Sequence, residues 1–232
     1  MINLNFKSKK LLLLQRNELL SKKQKYLRKK LGRFLFTNLL INLFQIKDIE
    51  KKSSKLFEDE VNLIKNYLPD NVDNIMDIGC GLGIINIFLN KIYKDKTSFY
   101  LLDKNHIDNK IKYGFSIDYE SYNDLNETKK ILLNNGLKED KINILDVDRD
   151  INIEKKMNLV ISLKSMGYHY PFENYIFLFK KCCGKDTTFI FDIASDKYEV
   201  NFFNKYFENI KVIHIEESVH SLKRLCCNEL KL

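Results

Sequence analysis

Residues Asn74–Gly83 combine residue types that can bring a backbone close to a bound ligand. The segment reads N-I-M-D-I-G-C-G-L-G, and its apolar residues Ile75, Met76 and Ile78 suit a buried strand. The apolar run Ile84–Leu89 follows and suits the first turns of a helix. Because glycine has no Cβ, a glycine turn between strand and helix leaves room for a ligand. The dinucleotide pattern G-x-G-x-x-G would need glycine at position 84, so the isoleucine there indicates another ligand.

An acidic residue ends the next predicted strand. The stretch 97–102 reads T-S-F-Y-L-L and is followed by Asp103, 20 positions after Gly83. This separation is long enough for one crossover helix and a return strand. A carboxylate accepts hydrogen bonds only and can hold two neighbouring hydroxyl donors at once. The pattern therefore predicts that Asp103 binds a diol next to the glycine turn.

The Asp-x-Gly-x-Gly-x-Gly turn resembles motif I of class I S-adenosylmethionine (SAM) methyltransferases. The resemblance implies SAM as the cofactor, with both ribose hydroxyls on Asp103. It further implies that an acid after the third strand holds the adenine amino group, and strand register leaves Asp146 and Asp148 as alternatives. The full predicted cofactor set is Asp77, Gly79, Cys80, Gly81, Gly83, Asp103, Lys104, Asp146, Asp148 and Ser162. The competing interpretation is a doubly wound sheet with a different ligand in the same crevice.

The order of elements predicts an α/β fold with a doubly wound, seven-stranded, mostly parallel sheet, the Rossmann-like SAM methyltransferase fold. The predicted strands are 75–78, 99–103, 142–147, 159–163, 187–194, 212–215 and 223–230. Helices are predicted at 7–30, 31–46, 56–68, 84–93, 126–135, 171–181 and 198–207. The last two strands lack a helix between them, which predicts an antiparallel edge hairpin. We predict a basic helical extension over residues 1–54 and a methyltransferase domain over 55–232.

The segment after the fourth strand, Ser162–Pro171, concentrates polar and aromatic groups where an acceptor should bind. We predict His169 as general base, because neutral imidazole accepts a proton near neutral pH. The alternative is that His169 caps the next helix or hydrogen-bonds a core carbonyl. Tyr168 and Tyr170 are predicted to wall the acceptor pocket, and Lys164 either binds an anionic acceptor or lies along the surface. Further candidates are Asp192, for an acceptor hydroxyl, and the loop tyrosines Tyr113, Tyr119 and Tyr122.

Charge is concentrated in the N-terminal arm. Residues 1–47 carry twelve Lys or Arg and one acid, a net charge of +11, whereas the remainder has 27 basic and 30 acidic residues. A mildly acidic catalytic body argues against a basic nucleic-acid groove. The apolar helix at 31–46 predicts burial against the catalytic domain, a second subunit or an anionic membrane surface. The arm is therefore predicted to serve as an oligomer or lid element in preference to a membrane anchor.

Five cysteines without zinc spacing predict reduced thiols and no metal site. With no signal peptide or membrane span evident, we expect a cytoplasmic protein.

The stretch Asn158–Tyr175 resembles a pattern in sugar O-methyltransferases of bacterial surface-polysaccharide and capsule pathways. The resemblance implies methyl transfer to a sugar hydroxyl, or to a phosphate or phosphoramidate oxygen of a nucleotide-linked or glycan precursor. The first alternative is an RNA methyltransferase that uses the basic arm, although Ser165–Tyr168 does not match the Pro-Pro-aromatic motif of amino-group base methylases. The second is a catalytically inactive partner subunit. A homodimer and weak peripheral membrane contact through the arm remain open partner predictions.

Overall fold

The sheet of the protein has the strand order typical of a doubly wound fold. The computed structural model describes residues 1–43, 48–94, 96–107, 123–149, 151–217 and 221–232, with the side chains of 42 and 43 also outside the description. Its strands are β1 (Asn74–Ile78), β2 (Ser98–Asp103), β3 (Ile142–Asp146), β4 (Leu159–Ser162), β5 (Thr188–Ala194), β6 (Phe207–Glu216) and β7 (Leu222–Leu230). They are arranged β3-β2-β1-β4-β5-β7-β6, and β7 runs antiparallel to both neighbours. The predicted mostly parallel sheet with an antiparallel edge hairpin is confirmed.

Helices cover both faces of the sheet. Those in the described residues are α1 (Phe6–Gln15), α2 (Lys22–Leu31), α3 (Arg33–Leu43), α4 (Ile49–Ile64), α5 (Ile84–Tyr93), α6 (Leu125–Asn134) and α7 (Ile176–Cys182). Two apolar clusters form, one on each face of the sheet. This layering buries every residue of β4 and β5 and leaves the carboxyl ends of β1, β2, β4 and β5 at one edge.

The N-terminal helices share the core of the sheet. Leu11–Leu14 of α1 and Phe36 and Leu40 of α3 are buried in the same cluster as Ile75 of β1 and Leu101 of β2. Polar contacts also attach α1 to α6, because the Glu127 carboxylate accepts hydrogen bonds from Asn5 and Ser8. Of the three predicted targets of the arm, the structure shows contact with its own catalytic sheet. The division at residue 54 itself stays a prediction.

Several predicted element boundaries were wrong. The single helix at 7–30 is two helices, because Arg16 is extended and Ser21 starts α2 with a reciprocal capping box to Gln24. The helix at 56–68 already begins at Ile49. The helix at 198–207 is a 3₁₀ segment, Val200–Lys205, and β6 begins five residues earlier than predicted. The end of the predicted helix 31–46 and the loop tyrosines Tyr113, Tyr119 and Tyr122 lie outside the described residues.

Candidate active site

The glycine turn after β1 adopts a conformation that favours glycine. Gly79, Gly81 and Gly83 have φ values of 70°, 54° and 66°, in the left-handed region. A Cβ at Gly79 would lie 1.9 Å from Ser165 Oγ, so the loop after β4 packs directly on the turn. Gly83 occupies the N-cap of α5. The turn and the predicted acceptor segment therefore form one continuous site.

Asp103 lies at the end of β2 beside this turn. Its carboxylate accepts hydrogen bonds from the backbone N–H of Gly81 at 2.6 Å and of Lys104 at 2.7 Å. Each oxygen retains a further lone pair for a hydroxyl donor. Burial raises the pKa of Asp103 to about 6, against the opposing effect of these two N–H donors. The geometry suits the predicted ribose role, because the carboxylate is fixed and directed at the edge of the turn.

Asp77 lies beneath the turn. It is 4% exposed, and its carboxylate accepts a hydrogen bond from Asn86 Nδ2 of α5 at 2.6 Å. Burial raises the pKa of Asp77 to about 7, with a further contribution from the charge of Asp103. Burial likewise raises the pKa of the Cys80 thiol. Asp77 thus joins the end of β1 to α5 through Asn86, and its predicted cofactor role stays a prediction.

The two acids predicted for the adenine amino group are placed differently. Asp146 is the register partner of Asp103 across β2 and β3, and its side chain is 18% exposed. Asp148 is exposed, with its carboxylate 4.0 Å from Lys104 Nζ. Asp146 is therefore the better placed of the two, since it borders Asp103 on the same edge of the sheet.

The segment after β4, residues 164–170, is a tight loop held by one carbonyl. We call it the acceptor loop, after its predicted role. Ser165 O accepts hydrogen bonds from the backbone N–H of Tyr168, His169 and Tyr170, at 3.0, 2.7 and 3.1 Å. His169 is exposed, and its ring contacts that of Tyr168 edge-on with centroids 4.8 Å apart. The loop brings the predicted base and both tyrosines to the carboxyl edge of the sheet.

Lys164 starts this loop with a positive φ of 60°. Its Nζ lies 2.7 Å from Glu18 Oε1 and 3.2 Å from Glu216 Oε2. Burial alone would lower the pKa of Lys164, but the two carboxylates outweigh it and raise that pKa. Because its charge is already matched, Lys164 is poorly suited to capture an anionic acceptor.

Two predicted side chains are committed elsewhere. The Ser162 hydroxyl is buried, donates to Ile78 O at 2.7 Å and accepts from Met166 N–H at 2.9 Å. Asp192 was predicted to position an acceptor hydroxyl, but it is fully buried and paired with Arg224. That prediction was wrong, since Asp192 cannot reach a substrate at the surface.

A buried ion network not predicted from the sequence connects Asp192 to the acceptor loop. Arg224 donates from Nε and Nη2 to both Asp192 oxygens and from Nη1 to Glu60. Asp192 Oδ2 in turn accepts from Lys164 N–H at 3.0 Å. The three charged residues are far apart in the chain, and it is the pairing of β5 with β7 that makes Asp192 and Arg224 register partners.

An open cavity of about 890 Å³ adjoins the acceptor loop. Pro171, the residue after Tyr170, lines it, and so does Lys197, which donates to Tyr168 O at 3.3 Å. The remaining lining residues are Glu173, Tyr198, Glu199, Asn201 and Phe202. Carboxylates, an amide and aromatic rings in one groove supply both hydrogen-bond acceptors and apolar faces.

Residues 15–18, here called the N-terminal strap, lie over the site. They comprise the last residue of α1 and the start of the connection to α2. Gln15 Oε1 would lie 2.8 Å from a Cβ at Gly81, and Gln15 Nε2 donates to Asn123 Oδ1 at 3.3 Å. Asn123 Nδ2 donates to Gly81 O at 2.9 Å. The strap therefore touches the glycine turn at one end and Lys164 at the other. Sequence reasoning assigned none of these residues to the site.

No helix in the described ranges is long and apolar enough to cross a membrane. Among those same residues, no group of His, Cys, Asp and Glu has the geometry to hold a metal ion.

Comparisons with known proteins support the fold. No protein-family model matches the chain, and no curated protein matches it. The ribosomal protein L11 methylase of Lactobacillus delbrueckii subsp. bulgaricus is 13% identical, with a TM-score of 0.50 over 77% of this chain and 79% of that one. A SAM-dependent methyltransferase from Aquifex aeolicus is 11% identical, with a TM-score of 0.50 over 76% and 96% of the two chains.

A candidate O-methyltransferase from Nostoc punctiforme is 11% identical, with a TM-score of 0.53 over 77% of this chain and 58% of that one. These matches do not single out sugar O-methyltransferases among methyltransferases. They agree with SAM as the predicted cofactor. Together with the strand order and the glycine turn, they show that the chain has the Rossmann-like fold of class I SAM-dependent methyltransferases.

Proposed function

We propose that the protein is a SAM-dependent methyltransferase that methylates a sugar hydroxyl. The observation that carries the proposal is the continuity of the glycine turn, Asp103 and the loop 165–170 at one edge of the sheet. These residues fit the cofactor, because Asp103 offers fixed acceptors to a ribose diol beside a turn whose glycines carry no side chains of their own. When bound, SAM supplies an electrophilic methyl group on a positively charged sulfur.

The role of the chain is to position the acceptor in line with the methyl group and to take up a proton. His169 is the proposed base, because it is exposed on the loop that contacts Gly79 through Ser165. A hydroxyl acceptor is favoured over a phosphate, since the nearby ammonium of Lys164 is matched by Glu18 and Glu216. The groove beside Pro171 fits a sugar, whose hydroxyls can donate to Glu173 and Glu199.

The test is methyl transfer from radiolabelled SAM to fractionated cell extract. We expect label in small sugars or nucleotide-linked sugars, and an O-methyl sugar after acid hydrolysis. His169→Ala should reduce the rate by about 10²–10⁴-fold, the usual contribution of a general base. His214→Ala, on the edge strand β6, should leave it unchanged. If His169→Ala keeps most of the activity, the acceptor oxygen is already ionised, as in a phosphate. Cofactor binding without transfer to any fraction would indicate an inactive partner subunit.

RNA is a second candidate acceptor because of the charge on α2. This helix contains no acidic residue. It exposes five lysines, namely Lys22, Lys23, Lys25, Lys29 and Lys30. It is held by Arg28, which donates to the last carbonyls of α1. Phosphate contacts would make RNA binding weaken steeply as the salt concentration rises. For a duplex, each phosphate contacted lowers the logarithm of the binding constant by about 0.9 for every tenfold increase in salt. Ribonuclease-sensitive label would favour RNA, whereas absence of RNA binding at low salt would exclude it.

A further inference from the structure

Arg16 is the central charged residue of the N-terminal strap, held between two anchored neighbours. Gln15 lies against Gly81, and Glu18 pairs with Lys164 at the start of the acceptor loop. The Arg16 guanidinium lies over the Phe57 ring, 5.1 Å from its centroid. Arg16 thus belongs to a segment that is held at the glycine turn on one side and at the start of the loop after β4 on the other.

Among the described residues, no carboxylate forms a salt bridge with the Arg16 guanidinium, although its charge acts on Glu18 nearby. Throughout the described part of the chain it forms no ion pair and no side-chain hydrogen bond. Two acids lie within reach of its charge, since Arg16 lowers the pKa of Asp77 against the larger opposing effect of burial, and lowers that of Glu18 likewise. However, Asp77 is bonded to Asn86 beneath the turn, and Glu18 is bonded to Lys164. Arg16 therefore presents a fixed positive charge with planar N–H donors suited to a carboxylate.

The strand order determines which end of the cofactor comes near Arg16. In the proposed function Asp103 holds the nucleoside end over β2, and the next strands in the sheet are β1 and then β4. The cofactor must therefore extend from β2 across the glycine turn towards β4, along the crevice where the strand connections reverse direction. Its far end is an amino acid that carries a carboxylate. Lys164, the other cation there, is matched by Glu18 and Glu216.

We propose that Arg16 binds the methionyl carboxylate of SAM through a guanidinium–carboxylate pair, so that the N-terminal strap is part of the cofactor site. The inference rests on the proposed function. The pair would form only with ligands that carry the amino-acid tail, and this requirement separates it from any contact with the nucleoside.

The test compares two cofactor fragments by isothermal titration calorimetry with the full chain. S-adenosylhomocysteine carries both the nucleoside and the carboxylate, whereas 5′-methylthioadenosine lacks the amino-acid tail. Arg16→Met, which keeps an apolar stem on Phe57, should weaken S-adenosylhomocysteine binding by at least about tenfold, as expected for a charged hydrogen-bonded pair. Binding of 5′-methylthioadenosine should change by less than about twofold. Arg16→Lys should give an intermediate loss, because a lysine keeps the charge but not the planar fork.

Two control variants make the outcomes distinguishable. Lys22→Met, at the exposed start of α2, should leave both affinities unchanged, and Asp103→Ala should weaken both ligands. Equal loss of both ligands in Arg16→Met would overturn the proposal, because it would show a structural role for the arginine. Unchanged binding of S-adenosylhomocysteine would also overturn it, while the effect of Asp103→Ala would leave the proposed function standing. If the wild-type protein binds neither ligand, the proposed function itself fails.

Discussion

Replacing Asp77 with asparagine tests how the site holds a buried negative charge. Asp77 is 4% exposed and accepts one side-chain hydrogen bond, from Asn86 Nδ2. Asn86 Oδ1 is buried and has no hydrogen-bond partner among the described residues. Asp77→Asn removes the charge without changing the shape, and its new N–H donors can supply the missing partner. We therefore expect the variant to be more stable than the wild type without cofactor.

The magnitude follows from the pKa. Burial raises the pKa of Asp77 from 3.8 to about 7, and about three pKa units correspond to about 4 kcal/mol. The folded state binds this proton more tightly than the unfolded state, so the wild type loses stability as pH rises from 3.8 to about 7. The Asp77→Asn variant does not lose this stability, because asparagine carries no titrating group. Its advantage should reach a few kcal/mol above pH 7 and shrink to about 1 kcal/mol near pH 4.5.

Urea unfolding of both proteins at pH 8 and pH 4.5 measures the difference. Asp73→Asn, an exposed carboxylate just before the same strand, serves as the matched control and should have no effect. Calorimetry should also show that Asp77→Asn binds SAM more weakly, with a smaller loss for S-adenosylhomocysteine, whose sulfur is uncharged. A variant that is no more stable than the wild type at pH 8 would refute the reasoning. So would a gain in stability that is independent of pH.

Four further changes probe other parts of the structure. Affinity for S-adenosylhomocysteine should fall about tenfold from pH 7.5 to pH 5, because burial raises the pKa of Asp103 to about 6 and only its carboxylate accepts two hydroxyls. In calorimetry, Asp103→Asn should remove most of this pH dependence and leave the smaller effect of Asp77, whose pKa burial raises to about 7. Gly81→Val should eliminate binding while circular dichroism stays native, since a Cβ there lies 2.8 Å from the flexible end of Gln15. Leu13→Ala should lower the free energy of unfolding by about 2–5 kcal/mol in urea, and a loss near zero would separate α1 from the core. Arg224→Met should destabilise by about 3–5 kcal/mol in the same assay, because Asp192 is left buried and unpaired, and a neutral result would contradict that pairing.

The sheet was predictable because its signals are local. Each central strand is a short apolar run, and the glycine turn marks the end of β1 and the start of α5. Asp103 could be located because a strand end fixes which residue reaches the sheet edge. The hairpin of β6 and β7 followed from the absence of an intervening helix. Such features depend on neighbours in sequence, and the structure confirms them.

The N-terminal strap and the ion network were not predictable because their partners are distant in the chain. Glu18 meets Lys164 from 146 positions away, and Arg224 meets Glu60 from 164 positions away. The run Leu11–Leu14 did carry a usable signal. Four consecutive leucines encircle a helix, so a helix that contains them has no purely polar face and must be enclosed by other elements. This signal was missed because residues 7–30 were taken together as one helix, in which lysines and arginines outnumber the residues of that short apolar run.

The buried network around Arg224 is better explained by geometry than by stability. Well-packed apolar residues usually stabilise a core as well as a buried ion pair does. Here the network has a specific structural consequence. One oxygen of Asp192 accepts a hydrogen bond from the backbone N–H of Lys164, a residue with an unfavourable φ of 60°. A left-handed conformation at a non-glycine residue costs about 1–2 kcal/mol, so it needs an external hydrogen bond to persist. That bond sets the direction in which the chain leaves β4, and it thereby places Ser165 against Gly79 and His169 at the sheet edge. Acceptor and cofactor segments are therefore aligned from beneath by a charge network and from above by the strap.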